Sequence, residues 1–297
     1  MEALLLFLAV LSPVALTAGI AIKFYKISQM PLNIRWEIYP LPKGELEKIR
    51  YGGSYMEEID WVKKNNPRRS YFEFVEPFKE LFFLHRVHKF NKYGLWIWSM
   101  ALHWAVGLLF GTLIILLLDG IFTDIDLSGL VIVPIFSYVL GVFGSLGLIA
   151  KRFINKELKL YTSGIEYFNL IFLLLIFFTG FLSFIQDSSL SEAFIYVDGV
   201  LKLSIPFDEI SSLTIIHFLL VELFLMYIPF SKFFHGPVKF FTFHKILWSD
   251  EFQTKGSKEE KKIMQQLHYK VRWSGPHMLS DQNWLENAKN TNLHEKS

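Results

Sequence analysis

Two histidines, His217 and His235, stand 18 residues apart in the apolar stretch from Ile216 to His235. At 100° per residue that spacing is five whole turns, so a continuous helix would project both imidazoles from one stripe, about 27 Å apart along the axis. That length is close to the roughly 30 Å hydrocarbon core of a bilayer. One helix face would then offer a nitrogen ligand at each leaflet. Imidazole is the common axial ligand of haem iron, and ionisable side chains inside a membrane are costly and usually mark a pathway or a site. A single membrane histidine can instead hydrogen-bond across a helix interface. Two in register favour haem over packing.

A second helix must supply the opposite ligands. His103 lies in the apolar run Leu95 to Leu118, and Pro77, with Glu73, Glu76 and Glu80 around it, sits where a helix can begin. If one continuous helix runs from Pro77 through that span, His103 reaches the outer half and faces His217. His235 then takes a partner from further inward. His85 is 18 residues before His103, on the same stripe and about 27 Å away; His88 is 15 before, about 60° off and about 22 Å away. Both can serve. The chain has no cysteine, which excludes disulfides, thiolate-held iron–sulfur clusters and covalent c-type haem.

The elements that must position these residues are membrane spans. The 297 residues are 52% hydrophobic and include 30 Phe, and several uncharged apolar runs are long enough to cross a bilayer. The expected fold is an all-α integral membrane protein of the cell membrane with five transmembrane helices: Ala3 to Ile22, Leu95 to Leu118, Leu130 to Ala150, Ile165 to Ile185, and about Ile210 to Phe234. Gly141, Gly144, Ser145 and Gly147 in the third permit close helix contact. Ser188 to Pro206 reads as a short polar connection. The first run is followed, not preceded, by lysines, which is the reverse of a signal peptide and puts the N-terminus outside. The loops at 119–129 and 186–209 hold one basic residue, Lys202, of 30, so the other ends and the C-terminal tail are cytoplasmic.

The domain reading is residues 1–24 as first transmembrane helix, 25–76 as a cytoplasmic docking loop, 77–235 as a four-helix haem-binding bundle, and 236–297 as a cytoplasmic tail. The loop is punctuated by Pro and Gly and carries Trp36, Tyr39, Tyr55 and Trp61, aromatic anchors of the kind an interface uses; Trp273 adds one from the tail. The charge run Lys255 to Lys262 reads as a solvated helix face, and His244, His268, His277 and His294 as surface histidines.

Residues His217 to His235, with Ile228-Pro229-Phe230-Ser231-Lys232 between them, and Leu102-His103-Trp104-Ala105-Val106-Gly107 resemble the membrane cytochrome b subunits related to the gamma subunit of respiratory nitrate reductase. The segments Arg35-Trp36-Glu37-Ile38-Tyr39-Pro40 and Tyr51-Gly52-Gly53-Ser54-Tyr55 are similar to the branch found in menaquinol-oxidising complexes with a heterodisulfide-reductase-like cytoplasmic iron–sulfur subunit, as in sulfate-reducing anaerobes. The resemblance implies two b haems, with His103 and His217 as the outer pair and His235 as one inner ligand. That family places its fourth ligand ten residues before the position of His103, where this chain has Tyr93; His88 is then favoured, with His85 as the alternative.

The expectation is therefore a di-haem cytochrome b. It passes electrons across the membrane between menaquinol on the outer side and a cytoplasmic iron–sulfur partner, as a quinol-oxidising subunit of a multi-subunit membrane oxidoreductase in anaerobic respiration. Proton acceptors for quinol oxidation would come from Asp119, Asp124, Asp126 or Glu222. Glu222 points about 140° away from His217 around its helix, an orientation that also suits a bond to a neighbouring span. The alternatives are a transporter whose histidines relay protons, and a haem-free membrane anchor.

Overall fold

The computed structural model describes residues 2–30, 72–122, 128–242, 255–275 and 278–290. Among these, five helices are long and apolar enough to cross a membrane: Glu2–Ser28, Trp96–Ile121, Gly129–Ile154, Gly164–Gln186 and Ser212–Phe230. The fold is all-α; the described residues form isolated β-bridges and no strand. In chain order we name α1 (Glu2–Ser28), α2 (Phe72–Phe83), α3 (His85–Lys89), α4 (Trp96–Ile121), α5 (Ile132–Ile154), α6 (Lys156–Tyr161), α7 (Gly164–Gln186), α8 (Ser191–Leu201), α9 (Ser212–Tyr227), α10 (His235–Thr242), α11 (Lys258–Leu267) and α12 (Trp284–Lys289). The chain divides into two compact units, residues 1–19 with 78–233 and residues 20–77 with 234–297.

The first unit is the membrane bundle. Lipid tails are as apolar as leucine, so burial alone does not hold such helices together; close van der Waals packing and interhelical hydrogen bonds must. The small residues of α5 supply the first. A Cβ at Gly141 would lie 2.1 Å from the Phe177 ring, one at Gly147 would lie 1.8 Å from the Trp98 indole, and one at Gly144 would lie 2.6 Å from the backbone nitrogen of Leu102. Ser137 supplies the second, donating from Oγ to the Ala105 carbonyl at 2.8 Å. Around these contacts Leu102, Ala105, Leu109, Leu173, Ile176, Phe177, Val221 and Phe224 form one buried cluster. A second cluster gathers Ala9 of α1, Leu116 of α4, Tyr196 of α8 and Phe218 of α9.

Three sequence expectations are corrected here. Pro77 lies inside α2 instead of opening a helix that runs on into the second span. Leu84 adopts the left-handed conformation with φ 45°, α3 begins after it, and the Glu80 carboxylate accepts from the Arg86 backbone N–H at 3.1 Å. Gly94, with φ +64°, closes the turn before α4, and Asn91 Oδ1 accepts from the Trp96 N–H at 3.0 Å. The fifth span also breaks. Pro229 lacks an N–H and crowds the preceding turn, so α9 gives way to 3₁₀ turns at Ile228–Phe230 and Lys232–Phe234, with Ser231 extended between them. The five-turn identity between His217 and His235 is lost with the continuous helix. Finally, the connection from Ser188 to Pro206 contains α8, whose first turn is held by Asp187: its carboxylate accepts from the Glu192 N–H at 2.8 Å and the Ser191 hydroxyl at 3.0 Å.

In the second unit Phe24 packs on Phe241 with ring centroids 4.4 Å apart, and Lys23 lies over the Phe234 ring at 5.2 Å. The charge run does form a helix face: α11 is capped by the Ser257 side chain, which accepts from the Glu260 N–H. The docking-loop residues Trp36, Tyr39, Tyr55 and Trp61 lie outside the described residues, as do His244, His277 and His294; Trp273 is half-exposed.

Candidate functional site: the buried histidine of α9 and its polar surroundings

His217 is the buried histidine among the described residues. It faces α5 and α7. Its Nδ1 lies 3.1 Å from the Ile176 carbonyl oxygen, which can only accept, so Nδ1 carries the proton. Nε2 is then the acceptor, and the Tyr138 hydroxyl reaches it at 3.3 Å. Thr179 Oγ1 stands 3.3 Å from Nδ1. Gly180 makes this arrangement possible: a Cβ there would be 2.4 Å from the Tyr138 ring and 2.7 Å from His217 Cε1.

Beside the imidazole is a narrow cavity of about 20 Å³, room for about one water molecule. Its polar lining is Thr112, Tyr138, Ser183 and His217; Leu109, Leu113, Leu116 and Val221 supply much of the rest. His103 is not in it. Thr112, the polar α4 residue lining the cavity, is nine residues beyond His103, about 14 Å of rise and half a turn around the helix. His103 instead lines a lateral groove of about 380 Å³ on the opposite face of α4, with Trp104, Gly107, Leu108, Leu81 and Phe82. The Trp104 indole N–H donates to the Phe82 carbonyl at 2.9 Å, which fixes one wall of that groove.

The structure therefore does not bring His103 and His217 face to face. His85 and His88 are exposed, the latter with its ring centroid 4.6 Å from that of Trp96. His235 opens α10, exposed, in the other compact unit. Among the described residues no three His, Cys, Asp or Glu side chains converge on a metal position. A porphyrin needs a pocket of several hundred Å³, so the packed bundle does not fit a haem between His217 and α4. The imidazole itself has its Nδ1–H held by a backbone carbonyl, as metal-ligating histidines do, while its Nε2 lone pair accepts from the Tyr138 hydroxyl.

Glu222 is the other buried ionisable group of α9. Its Oε1 accepts from the Tyr196 hydroxyl at 2.6 Å, while Oε2 is buried with no hydrogen-bond partner. The bond runs to α8, an element absent from the sequence reading. Tyr196 also stacks on Phe218, with centroids 4.2 Å apart and the rings 12° from parallel. Leaving a buried carboxyl with neither oxygen bonded costs about 1–3 kcal/mol. Tyr196→Phe should therefore lower the thermal midpoint in detergent more than Glu222→Gln does, since glutamine keeps an acceptor for the phenol. Asp119 is half-buried near the end of α4, and Asp124 and Asp126 lie outside the described residues.

Sequence reasoning missed a third group. Glu192 Oε2 accepts from Thr214 Oγ1 at 2.6 Å, from Ser211 Oγ at 2.7 Å and from the Ser211 N–H at 3.1 Å, and Thr214 Oγ1 is 2.8 Å from Ser183 Oγ. The spacing of Glu192 and Tyr196, one turn apart on a stretch carrying Phe194, Ile195 and Val197, was the available signal. Comparison with protein-family models, with curated proteins and with solved structures gives no match.

Proposed function

We propose that the chain is the membrane-embedded b-type cytochrome subunit of a menaquinol-linked oxidoreductase. It would connect quinol at the Lys202 end of the bundle with a cytoplasmic, heterodisulfide-reductase-like iron–sulfur partner at the opposite, basic end. The observation that supports this reading is His217: an imidazole buried among apolar helices with its Nδ1–H tied to a carbonyl, so that Nε2, which accepts from the Tyr138 hydroxyl in the packed bundle, is the atom an iron would take if the helices parted to admit haem. His103, His235 and His88, with His85 as the alternative to His88, are the remaining candidate ligands, on the residue resemblance alone.

Haem would supply the one-electron chemistry only in a bundle opened to admit it. The chain's own residues do the rest. The Ile176 carbonyl holds the His217 ring in one tautomer, and Gly180 leaves it room. Glu222 and Tyr196 place a protonatable pair about one and a half turns along α9 from that ring. The apolar bundle keeps bulk water from both. A pyridine haemochrome assay on fully loaded protein should return about two b haems per chain. A colourless protein that binds no haem on reconstitution overturns the reading.

One observation favours a second reading, a proton-relaying membrane protein without haem: hydroxyls and a carboxylate are bonded in series toward the His217 cavity. Haem content separates the two.

A further inference from the structure

We propose that Glu192, Thr214 and Ser183 form a proton path between the Lys202 end of the bundle and the enclosed cavity beside His217. The donor directions line up. Glu192 accepts the Thr214 hydroxyl proton at 2.6 Å, so Thr214 Oγ1 must accept from Ser183, 2.8 Å away, whose own lone pairs are left for the next donor. Ser183 lines the cavity, where Thr112, Tyr138 and His217 give a water its further partners. A proton leaving that water passes to Ser183 as Ser183 passes its own to Thr214 and Thr214 passes its own to Glu192. Each hydroxyl ends with one proton, the Glu192 carboxylate ends as a neutral carboxylic acid, and the water is left as hydroxide until it takes a proton from the cavity side.

Three helices fix the path independently. Ser183 belongs to α7, Glu192 to α8 and Thr214 to α9. Glu192 is half-buried, while Thr214 is only 2% exposed. Burial opposes ionisation of Glu192, and the bonds from Thr214 and Ser211 outweigh it and hold its carboxyl below the ordinary value, so it is ionised at neutral pH and a proton it receives is readily passed on. The acidic neighbour facing it is Asp187, whose carboxylate is occupied by the Ser189 and Ser191 hydroxyls and the Glu192 N–H. Tyr196 lies one turn further along α8, bonded to Glu222 and off the path.

The use of the path, release of protons as quinol is oxidised, rests on the function proposed above; the path itself does not. The test is hydrogen–deuterium exchange at the His217 ring and the Tyr138 hydroxyl, read by solid-state NMR on full-length, labelled protein in lipid bilayers. Ser183→Ala and Glu192→Gln should each slow exchange by about tenfold or more, and Thr214→Ser should preserve the rate. Unchanged exchange in either Ser183→Ala or Glu192→Gln, with native thermal unfolding, overturns the path. The measurement needs neither haem nor quinol, so a colourless protein with slowed exchange sinks the cytochrome reading and leaves the path standing.

Discussion

His217→Ala should take the haem content of the purified protein from about two per chain to about one, with the loss appearing in the reduced-minus-oxidised spectrum. The substitution removes the one imidazole that the bundle encloses and leaves Tyr138 Oη and the Ile176 carbonyl facing a hole. A purely packing histidine would give a different result: a drop in stability with haem content unchanged. The same experiment decides how His103 is used. If His103 and His217 hold one iron between them, either single substitution removes the same haem and the double substitution removes no more. If they act as the structure places them, with His103 on the face of α4 turned away from the His217 cavity, the effects of the two substitutions are independent.

The five spans were legible because membrane helices announce themselves by length and apolarity, and the observed bounds lie within a few residues of those read from the sequence. Breaks between helices were not. Asn91 and Gly94 are turn residues in plain view, yet the helical histidine spacing on either side of them outweighed that signal. Pro229 was equally visible, and a proline inside an apolar span is tolerated often enough that its presence alone does not set where the helix ends. Leu84 offers no signal at all. A leucine in the left-handed region is held there by its surroundings, here the buried Glu80 carboxylate bonded to Arg86.

The site was half legible for a related reason. His217 and Glu222 stand out as ionisable residues in an apolar run, and both are buried as that implies. Their partners are another matter. Thr179, Ser183 and Thr214 are ordinary hydroxyl residues that pack in any membrane helix, and only the approach of α7 to α9 turns them into a series. Tyr138 lies 79 residues from His217 in the chain. Continuous-helix arithmetic put His103 at the level of His217, and the turn at residues 90–94 removes the premise.

Gly144→Leu should prevent the bundle from assembling. The added Cβ would meet the Leu102 nitrogen at 2.6 Å and the Trp98 carbonyl oxygen at 2.8 Å, both backbone atoms that move only if α4 itself moves away from α5. Overpacking of a core usually costs about 1–3 kcal/mol, and here relief would come only by separating helices that hold together through close packing, so the cost should reach about 3 kcal/mol or more. The expected readout is loss of the monodisperse peak in detergent and of cooperative thermal unfolding. Gly107→Ala is the matched control on α4, because nothing lies within 4 Å of its added Cβ and alanine favours a helix by about 1 kcal/mol. It should fold at least as well as the parent chain. Gly107 shares the lateral groove with His103, so a loss of haem or of quinol-driven reduction in this well-folded variant would locate function on that face of α4. Full activity would leave the enclosed face, with His217, as the seat of the chemistry.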